Sequence, residues 1–146
     1  MSPEPFDSTQ DRRFPPDDPR EWLNRARSNL ARAKEGISIE GVYLEDLCFD
    51  AQQAAEKAIK ALLIHLGMRF PYTHDLAELL TIVEQAGQAI PKRVKGAARL
   101  TDYAVEPRYP GLFEPVTHEE YEEAVAVAEE VVNWVRKVIE REAKGK

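Results

Sequence analysis

Arg108 and Tyr109 stand between two prolines, in the sequence Pro107-Arg108-Tyr109-Pro110. Proline fixes its own φ angle and restricts the residue before it, so this dipeptide is held in an extended conformation. It therefore has little conformational entropy to lose when it binds a ligand. A guanidinium group offers a planar fork of donors to a phosphate, and Tyr109 or Tyr103 can stack on a base or a ribose. In the alternative interpretation, Arg108 caps helix carbonyls or pairs with a nearby glutamate while the tyrosines pack.

A second polar segment, Thr73-His74-Asp75, lies at the predicted start of a helix. His74 either takes part in local capping or lines a polar pocket beside the helices. His118 and Glu122 have the four-residue spacing of metal ligands on a helix, but one such pair is common by chance. The sequence contains no glycine-rich phosphate loop, no paired-cysteine zinc spacing and no nucleophile elbow. We therefore predict neither a metal nor a cofactor.

Apolar residues recur at three- and four-residue steps through most of the chain, and we find no period-two run of four or more residues. The pattern predicts an all-α fold, an antiparallel up-and-down helical bundle of about five helices. The predicted helices span about residues 19–36, 42–66, 75–85 and 91–105, and the last begins after Thr117.

Capping residues mark the predicted helix ends. Asp18 and Glu21 have the spacing of a capping box, and Gly36 is predicted to end the first helix in the left-handed conformation. Pro107 forbids continuation of the fourth helix. The capping spacing recurs at Asp75 and Glu78 and at Thr117 and Glu120.

The second predicted helix is the longest and is rich in alanine. Small side chains at positions 51, 54, 55, 58 and 61 let another helix approach closely, within the bundle or across a dimer. Cys48 lies on the apolar stripe of this helix, where core packing is expected. Residues 1–17 contain four prolines and no periodicity, so we predict a flexible N-terminal tail ahead of a helical domain at 18–144.

Composition limits the class of protein. The 146 residues suit one domain, and 43% hydrophobic with 32% charged residues is typical of a globular chain. The single cysteine, the lack of a long apolar run and the polar N-terminus predict a cytoplasmic protein. The net charge of −6 argues against coating of nucleic acid, although the charges are unevenly distributed. Basic residues cluster at Arg20, Arg25, Arg27, Arg32 and Lys34 and at Lys92, Arg93, Lys95 and Arg99, whereas residues 114–130 hold seven Glu and no Lys or Arg.

Three blocks of sequence resemble a HEPN domain. They are Cys-Phe-Asp-Ala-Gln-Gln-Ala-Ala-Glu-Lys-Ala-Ile-Lys-Ala-Leu-Leu at 48–63, Thr-His-Asp-Leu at 73–76, and Tyr103 with Arg-Tyr-Pro at 108–110. The resemblance covers about residues 20–140. It implies a helical bundle of four main helices plus one short helix that is commonly a homodimer. Such a protein often works with a minimal nucleotidyltransferase, frequently as a toxin–antitoxin pair. It also implies that some relatives are metal-independent ribonucleases while others bind nucleotides or partner proteins.

The catalytic pattern of such relatives is an arginine, four to six residues, and then a histidine near the start of the last helix. Arg108 occupies the arginine position, but His118 follows after nine residues, which departs from the pattern. Arg69 and His74 have a four-residue gap, but that gap contains Pro71 and lies in a different loop. We therefore expect a HEPN-type protein that binds a nucleotide, RNA or a partner through Arg108, Tyr109, Tyr103 and His74. The alternatives are a metal-independent ribonuclease and a purely structural interaction module.

Overall fold

One long helix, Leu44–His65, forms the centre of the structure, a computed structural model that describes residues 13–104 and 115–144. Within those ranges every regular element is helical, which confirms the all-α prediction. No helix there is long and apolar enough to cross a membrane. The α-helices are α1 (Pro19–Glu35), α2 (Leu44–His65), α3 (Leu76–Gln85), α4 (Lys92–Lys95) and α5 (His118–Lys144), with 3-10 helices at Gly36–Ser38 and Gly96–Tyr103.

Helix α2 packs mainly against α1 and α5. Its alanines at 51, 54, 55, 58 and 61 are fully buried within the chain, so they serve the close approach of helices in this bundle. Ile59, Leu62 and Leu63 fill the space between them, and Cys48 is buried in the same core. Burial of each large apolar side chain contributes about 1.5–3 kcal/mol, so this helix carries much of the fold's stability.

The directions of the helices depart from simple alternation at one point. α1 runs antiparallel to α2, because Arg32 contacts Asp50 while Asn29, earlier in α1, contacts Lys57. α5 runs parallel to α2: the start of α2 meets the start of α5 and the two ends meet at His65 and Glu142. The loop 66–75 makes this possible, because it brings the chain back along α2 before α3 begins.

The capping predictions have different outcomes at the three helices. At α5 the reciprocal capping box forms, with Glu120 N donating to Thr117 Oγ1 at 3.0 Å and Thr117 N to Glu120 Oε1 at 2.9 Å. Asp75 caps α3 through the backbone N–H groups of its first turn. At α1, Asp18 is the cap, but Glu21 does not complete a box. Its carboxylate accepts from Phe14 N at 2.9 Å, which ties the preceding segment to α1.

The prediction that Gly36 ends α1 in the left-handed conformation is wrong. Its φ angle is −61°, and the chain continues into a 3-10 turn. A Cβ atom at this position would overlap with Leu47 Cδ2, and Leu47 is buried. Gly36 is therefore needed for the close approach of α2 and not for a special backbone angle.

The fourth predicted helix, 91–105, is only partly α-helical. One turn of α-helix, Lys92–Lys95, tightens into the 3-10 helix Gly96–Tyr103, and Val105 lies outside the described residues. No side chain caps the start of α4, and Gly96 follows after a single turn. A short uncapped helix with an interior glycine is a weak α-helix, so tertiary contacts decide its form.

The uneven charge distribution is explained by pairing between elements. The acidic first half of α5 lies beside the end of α1, α4 and the following 3-10 helix. Three of the basic residues noted in the sequence pair with this part of α5, and four others pair with carboxylates elsewhere. A pair in which both side chains are exposed contributes only about 0–1 kcal/mol. The pairs are Arg20–Asp18, Arg25–Glu21, Arg32–Asp50, Lys34–Glu129, Arg93–Glu130, Lys95–Glu84 and Arg99–Glu123.

The described part of the predicted tail, residues 13–17, contacts α1. Trp22 Nε1 donates to Pro16 O at 2.7 Å, and the guanidinium of Arg20 lies 4.0 Å from the centre of the Phe14 ring. The boundary at residue 17 stays a prediction, since residues 1–12 lie outside the described part.

Gly36→Ala should lower the free energy of unfolding by about 1–3 kcal/mol, because the added methyl group overpacks the contact with Leu47. Gly96→Ala is the matched control: it has a similar backbone angle, and its nearest neighbour would be Arg99 NH2 at 3.5 Å. The control should be neutral or stabilised by up to about 1 kcal/mol. Urea unfolding followed by circular dichroism measures both. Equal effects of the two substitutions would contradict the packing role of Gly36.

Candidate functional site

A line of three polar side chains runs along the buried part of α2. Gln52, Glu56 and Lys60 follow one another at four-residue steps, so they share one face of the helix. All three are buried, with at most 5% of their surface exposed. Burial of ionisable groups is costly unless each is paired and hydrogen-bonded. This line of ionisable and amide groups therefore interrupts a buried helix face that is rich in alanine.

The carboxylate of Glu56 is the hub of this line. It accepts from Gln52 Nε2 at 2.8 Å and from Lys60 Nζ at 2.8 Å. A third donor, His74 Nδ1, lies 2.9 Å from Oε1 and 3.1 Å from Oε2. Burial alone would raise the pKa of Glu56, but the hydrogen bonds from Lys60, Gln52 and His74 and the charge of Lys60 lower it below its usual range. Glu56 is therefore an ionised carboxylate inside the protein.

His74 reaches Glu56 from the loop between α2 and α3. Asp75, the next residue, caps α3, and its own N–H donates to Thr73 Oγ1. Gln52 Nε2 lies 3.5 Å from the His74 carbonyl oxygen, so α2 also contacts the backbone of the loop. The imidazole is not the helix cap. It contacts the Glu56 carboxylate instead, and its role in lining a ligand pocket stays a prediction.

The tautomer of His74 follows from its partner. An ionised carboxylate only accepts hydrogen bonds, so Nδ1 carries the proton that it donates to Glu56. In the neutral ring Nε2 is then an acceptor. The side chain is 46% exposed, whereas that of Glu56 is 4% exposed. The arrangement presents an oriented imidazole to solvent and hides the carboxylate that orients it.

Aromatic rings surround the other end of the line. Lys60 Nζ lies 5.8 Å from the ring centres of Trp22 and Phe70 and 5.7 Å from that of Tyr72. These distances are typical of cation–π contacts. Tyr72 is 91% exposed, and its ring meets the imidazole of His74 edge to face at 5.6 Å. A flat aromatic surface therefore lies beside the oriented histidine.

Tyr103 lies in different surroundings. It lines a cleft of about 580 Å³ between the 3-10 helix Gly96–Tyr103 and the start of α5. Arg99 and Glu123 form an ion pair at 3.1 Å in the wall of this cleft. Leu76 N donates to Thr101 Oγ1 at 3.0 Å, which joins the start of α3 to the helix that carries Tyr103. Thr101 thus connects the His74 segment with the cleft.

The remaining residues singled out in the sequence are Arg108, Tyr109 and His118. Arg108 and Tyr109 lie outside the described residues. His118 is exposed on α5, with Nδ1 3.9 Å from Glu122 Oε2. Among residues 13–104 and 115–144, no group of three or more His, Cys, Asp and Glu side chains is placed to hold a metal ion.

Sequence reasoning missed Glu56 and Lys60. Both stand in the block that resembles a HEPN domain, but the interpretation of that helix rests on its apolar stripe alone. The signal was the spacing of Gln52, Glu56 and Lys60. Polar residues repeated every four positions between buried alanines indicate a polar seam inside the bundle.

Comparison with known proteins agrees with the fold and the sequence blocks. The HEPN domain family model matches residues 19–138, so the chain belongs to the HEPN family. No curated protein matches it. Three similar solved structures are TT1696 from Thermus thermophilus (32% identity, TM-score 0.71, 82% of this chain and 96% of that chain), ST0689, an archaeal HEPN homologue (29%, 0.68, 84% and 98%), and the HEPN domain protein tm0613 from Thermotoga maritima (25%, 0.63, 82% and 98%).

Glu56→Gln should destabilise the protein by about 3 kcal/mol at neutral pH, because Lys60 then stays buried without its counter-ion. The pKa of Glu56 is lowered in the folded state, so its ionised form stabilises the wild type above the ordinary glutamate pKa of about 4.3. That contribution is lost as the pH falls through the folded-state pKa.

Urea unfolding at a series of pH values measures this effect. The stability difference between wild type and Glu56→Gln should narrow as the solution becomes acidic. Glu40→Gln, at an exposed loop position, is the control and should follow the wild type throughout. A difference that is constant with pH would contradict an ionised Glu56.

Proposed function

We propose that this HEPN protein binds nucleotides or RNA through the surface around His74, together with Tyr103, Arg108 and Tyr109. The observation that carries the proposal is the pair of His74 and buried Glu56. A half-exposed imidazole that is held by a buried carboxylate has lost its rotational freedom before a ligand arrives. Such preorganisation favours binding, because less side-chain entropy is lost on association.

The chemistry of the surface suits a nucleotide. His74 Nε2 is an acceptor for a ribose hydroxyl or a base N–H group in the neutral ring, and a donor to a phosphate when the ring is protonated. Tyr72 offers an exposed ring face next to it. Stacking of a base on an aromatic side chain contributes about 1–3 kcal/mol and does not depend on the base.

Arg108 and Tyr109 enter the proposal on their sequence alone. An arginine between two prolines supplies a fork of donors for a phosphate, and the adjacent tyrosine supplies another stacking surface. Tyr103 belongs to the same proposal because it lines the cleft beside α5. Thr101 supports a common surface, since it connects the cleft helix to the start of α3.

A metal-independent ribonuclease is the second candidate function. The Glu56–His74 pair favours it, because a carboxylate that fixes the tautomer of a histidine is a common way to orient a general base. The nine residues between Arg108 and His118 disfavour it, since they depart from the catalytic pattern of the family. Binding without cleavage is therefore the leading proposal.

We further propose that the protein acts as a homodimer with a minimal nucleotidyltransferase as its partner, as in a toxin–antitoxin pair. Support comes from the family and from exposed apolar side chains between α1 and α2. Ile37, Ile39 and Tyr43 are 41%, 59% and 71% exposed. Exposed apolar groups close together in sequence are typical of a protein contact surface. A purely structural interaction module would use the same surface without a nucleotide site.

We expect saturable binding of nucleoside monophosphates and short single-stranded RNA that weakens with added salt. His74→Ala and Arg108→Ala should each reduce the affinity by about tenfold or more, because each removes a directed polar contact. His118→Ala and Arg27→Ala are the matched controls, since both replace exposed side chains of the same types elsewhere. Fluorescence anisotropy measures binding, and gel electrophoresis of the same RNA measures cleavage.

Cleavage that is lost in His74→Ala would instead establish the ribonuclease. Absence of binding and of cleavage in the folded wild type would leave only the structural module.

A further inference from the structure

A second polar cluster lies between α1 and α2, around Lys57, the residue that follows Glu56. Lys57 Nζ donates to Asn29 Oδ1 at 2.8 Å. Asn29 Nδ2 donates to Asp50 Oδ1 at 3.0 Å, and Arg32 NH2 donates to the same oxygen at 2.7 Å. Asn29 and Asp50 are buried, so they form a fixed floor beneath the two cations.

The ammonium group of Lys57 is poorly compensated in this cluster. Its hydrogen-bond partner is a neutral amide oxygen, whereas Lys60 on the next turn meets a carboxylate. Burial lowers the pKa of Lys57, and the positive charges of Arg25 and Arg32 lower it further against the opposing effects of Glu56 and Asp50. Cations that disfavour one another are stabilised when an anion binds between them.

The positions of the two arginines give the cluster its shape. Arg25 stands one turn before Asn29 on α1, Arg32 stands about one turn after it, and the positive charges of both act on the ammonium of Lys57. Arg25 uses Nε for Glu21, and Arg32 uses Nε and NH2 for Asp50. Each guanidinium has further N–H groups beyond those used in these bonds. The ammonium of Lys57 has three N–H groups and uses one of them for Asn29.

The carboxylates nearby do not cancel this positive charge. Asp50 is buried and accepts from Asn29 and Arg32, and Glu21 accepts from Phe14 N and Arg25. Glu56 is balanced by Lys60. Three cations, Lys57, Arg25 and Arg32, therefore face two carboxylates whose oxygens are already engaged. The line along which α1 and α2 meet at these residues, called the groove below, keeps an excess positive charge.

We propose that the groove between α1 and α2 binds a phosphate group, with Lys57 as its central ligand and Arg25 and Arg32 on either side. Planar guanidinium forks and an ammonium are the groups that recognise phosphate oxygens in proteins. The phosphate belongs to a nucleotide or is free orthophosphate. The site is separate from the His74 surface, and its existence does not depend on the function proposed there.

Titration of the isotope-labelled protein with orthophosphate, at constant ionic strength maintained by chloride, tests the site. The side-chain amide resonance of Asn29 should shift and saturate, because that amide forms the floor of the groove. Lys57→Met and Arg25→Gln should each weaken the affinity by about tenfold or more. Arg27→Gln, an exposed arginine on the same helix, should change it by less than about twofold.

Adenosine monophosphate and adenosine distinguish the sources of the phosphate. A shift of the Asn29 resonance that saturates with orthophosphate supports the site. If adenosine monophosphate also causes a saturating shift, the site accommodates a nucleoside attached to the phosphate. Adenosine should cause no shift, and a shift equal to that of the monophosphate would overturn the proposal. Equal affinities in Lys57→Met and Arg27→Gln would also overturn it. If Lys57→Met fails to fold, Arg25→Gln still decides, because Glu21 keeps its bond from Phe14 N.

The variant His74→Ala separates the two proposed sites. It should retain the orthophosphate response of Asn29 even if it loses nucleotide or RNA binding. A phosphate response that disappears in His74→Ala but persists in Lys57→Met would assign the anion to the His74 surface and contradict the groove.

Discussion

The charge of Glu56, buried near the middle of the central helix, is the constraint on which the rest of the site depends. An isolated carboxylate at this position would cost several kilocalories per mole, so each of its lone pairs needs a donor. Lys60 and Gln52 supply two donors from adjacent turns of α2. The third donor, His74, comes from a loop, and it ties that loop to the helix.

The hydrogen bond between His74 and Glu56 is related to the topology of the bundle. Because His74 must reach Glu56, the chain after α2 returns along the helix before α3 begins. The start of α3 is then joined to the 3-10 helix through Leu76 N and Thr101 Oγ1. The long α5 can therefore lie parallel to α2, with His65 and Glu142 in contact at their ends. The polar contact of His74 thus lies where the chain reverses direction between α2 and α3.

Stability alone does not explain the line of buried polar side chains formed by Gln52, Glu56 and Lys60. Well-packed apolar residues often stabilise a helical core as well as a buried ion pair does. Buried polar residues that interrupt an apolar pattern are expected at functional sites, where the function and not the stability of the fold requires them. Lys57 adds to this picture, since it stands next to Glu56 in sequence but points its ammonium at a neutral amide on α1. In this HEPN chain, two consecutive residues of α2 therefore belong to two distinct polar clusters.

Much of the fold could be predicted from helical periodicity and capping chemistry. Asp75 and Thr117 begin helices as expected, because an N-cap acts through its own local backbone. Gly36 was misjudged because its neighbour Leu47 comes from another helix, and the 3-10 segment was missed because tertiary contacts decide it. The partner of His74 is 18 positions away across a loop, a pairing that spacing alone does not reveal. The ligand-binding roles of Arg108 and Tyr109 stay predictions.

The most direct test of the central claim is the tautomer of His74, measured by long-range nitrogen–proton correlation at mildly alkaline pH. We expect the proton to reside on Nδ1 in the wild type, while the exposed His118 in the same spectrum shows the mixture of tautomers usual for a solvated imidazole. Glu56→Gln should reduce the difference between the two histidines, because a neutral amide oxygen accepts more weakly than a carboxylate. A proton on Nε2 of His74, or wild-type spectra in which both histidines behave alike, would contradict a carboxylate that holds the imidazole in place.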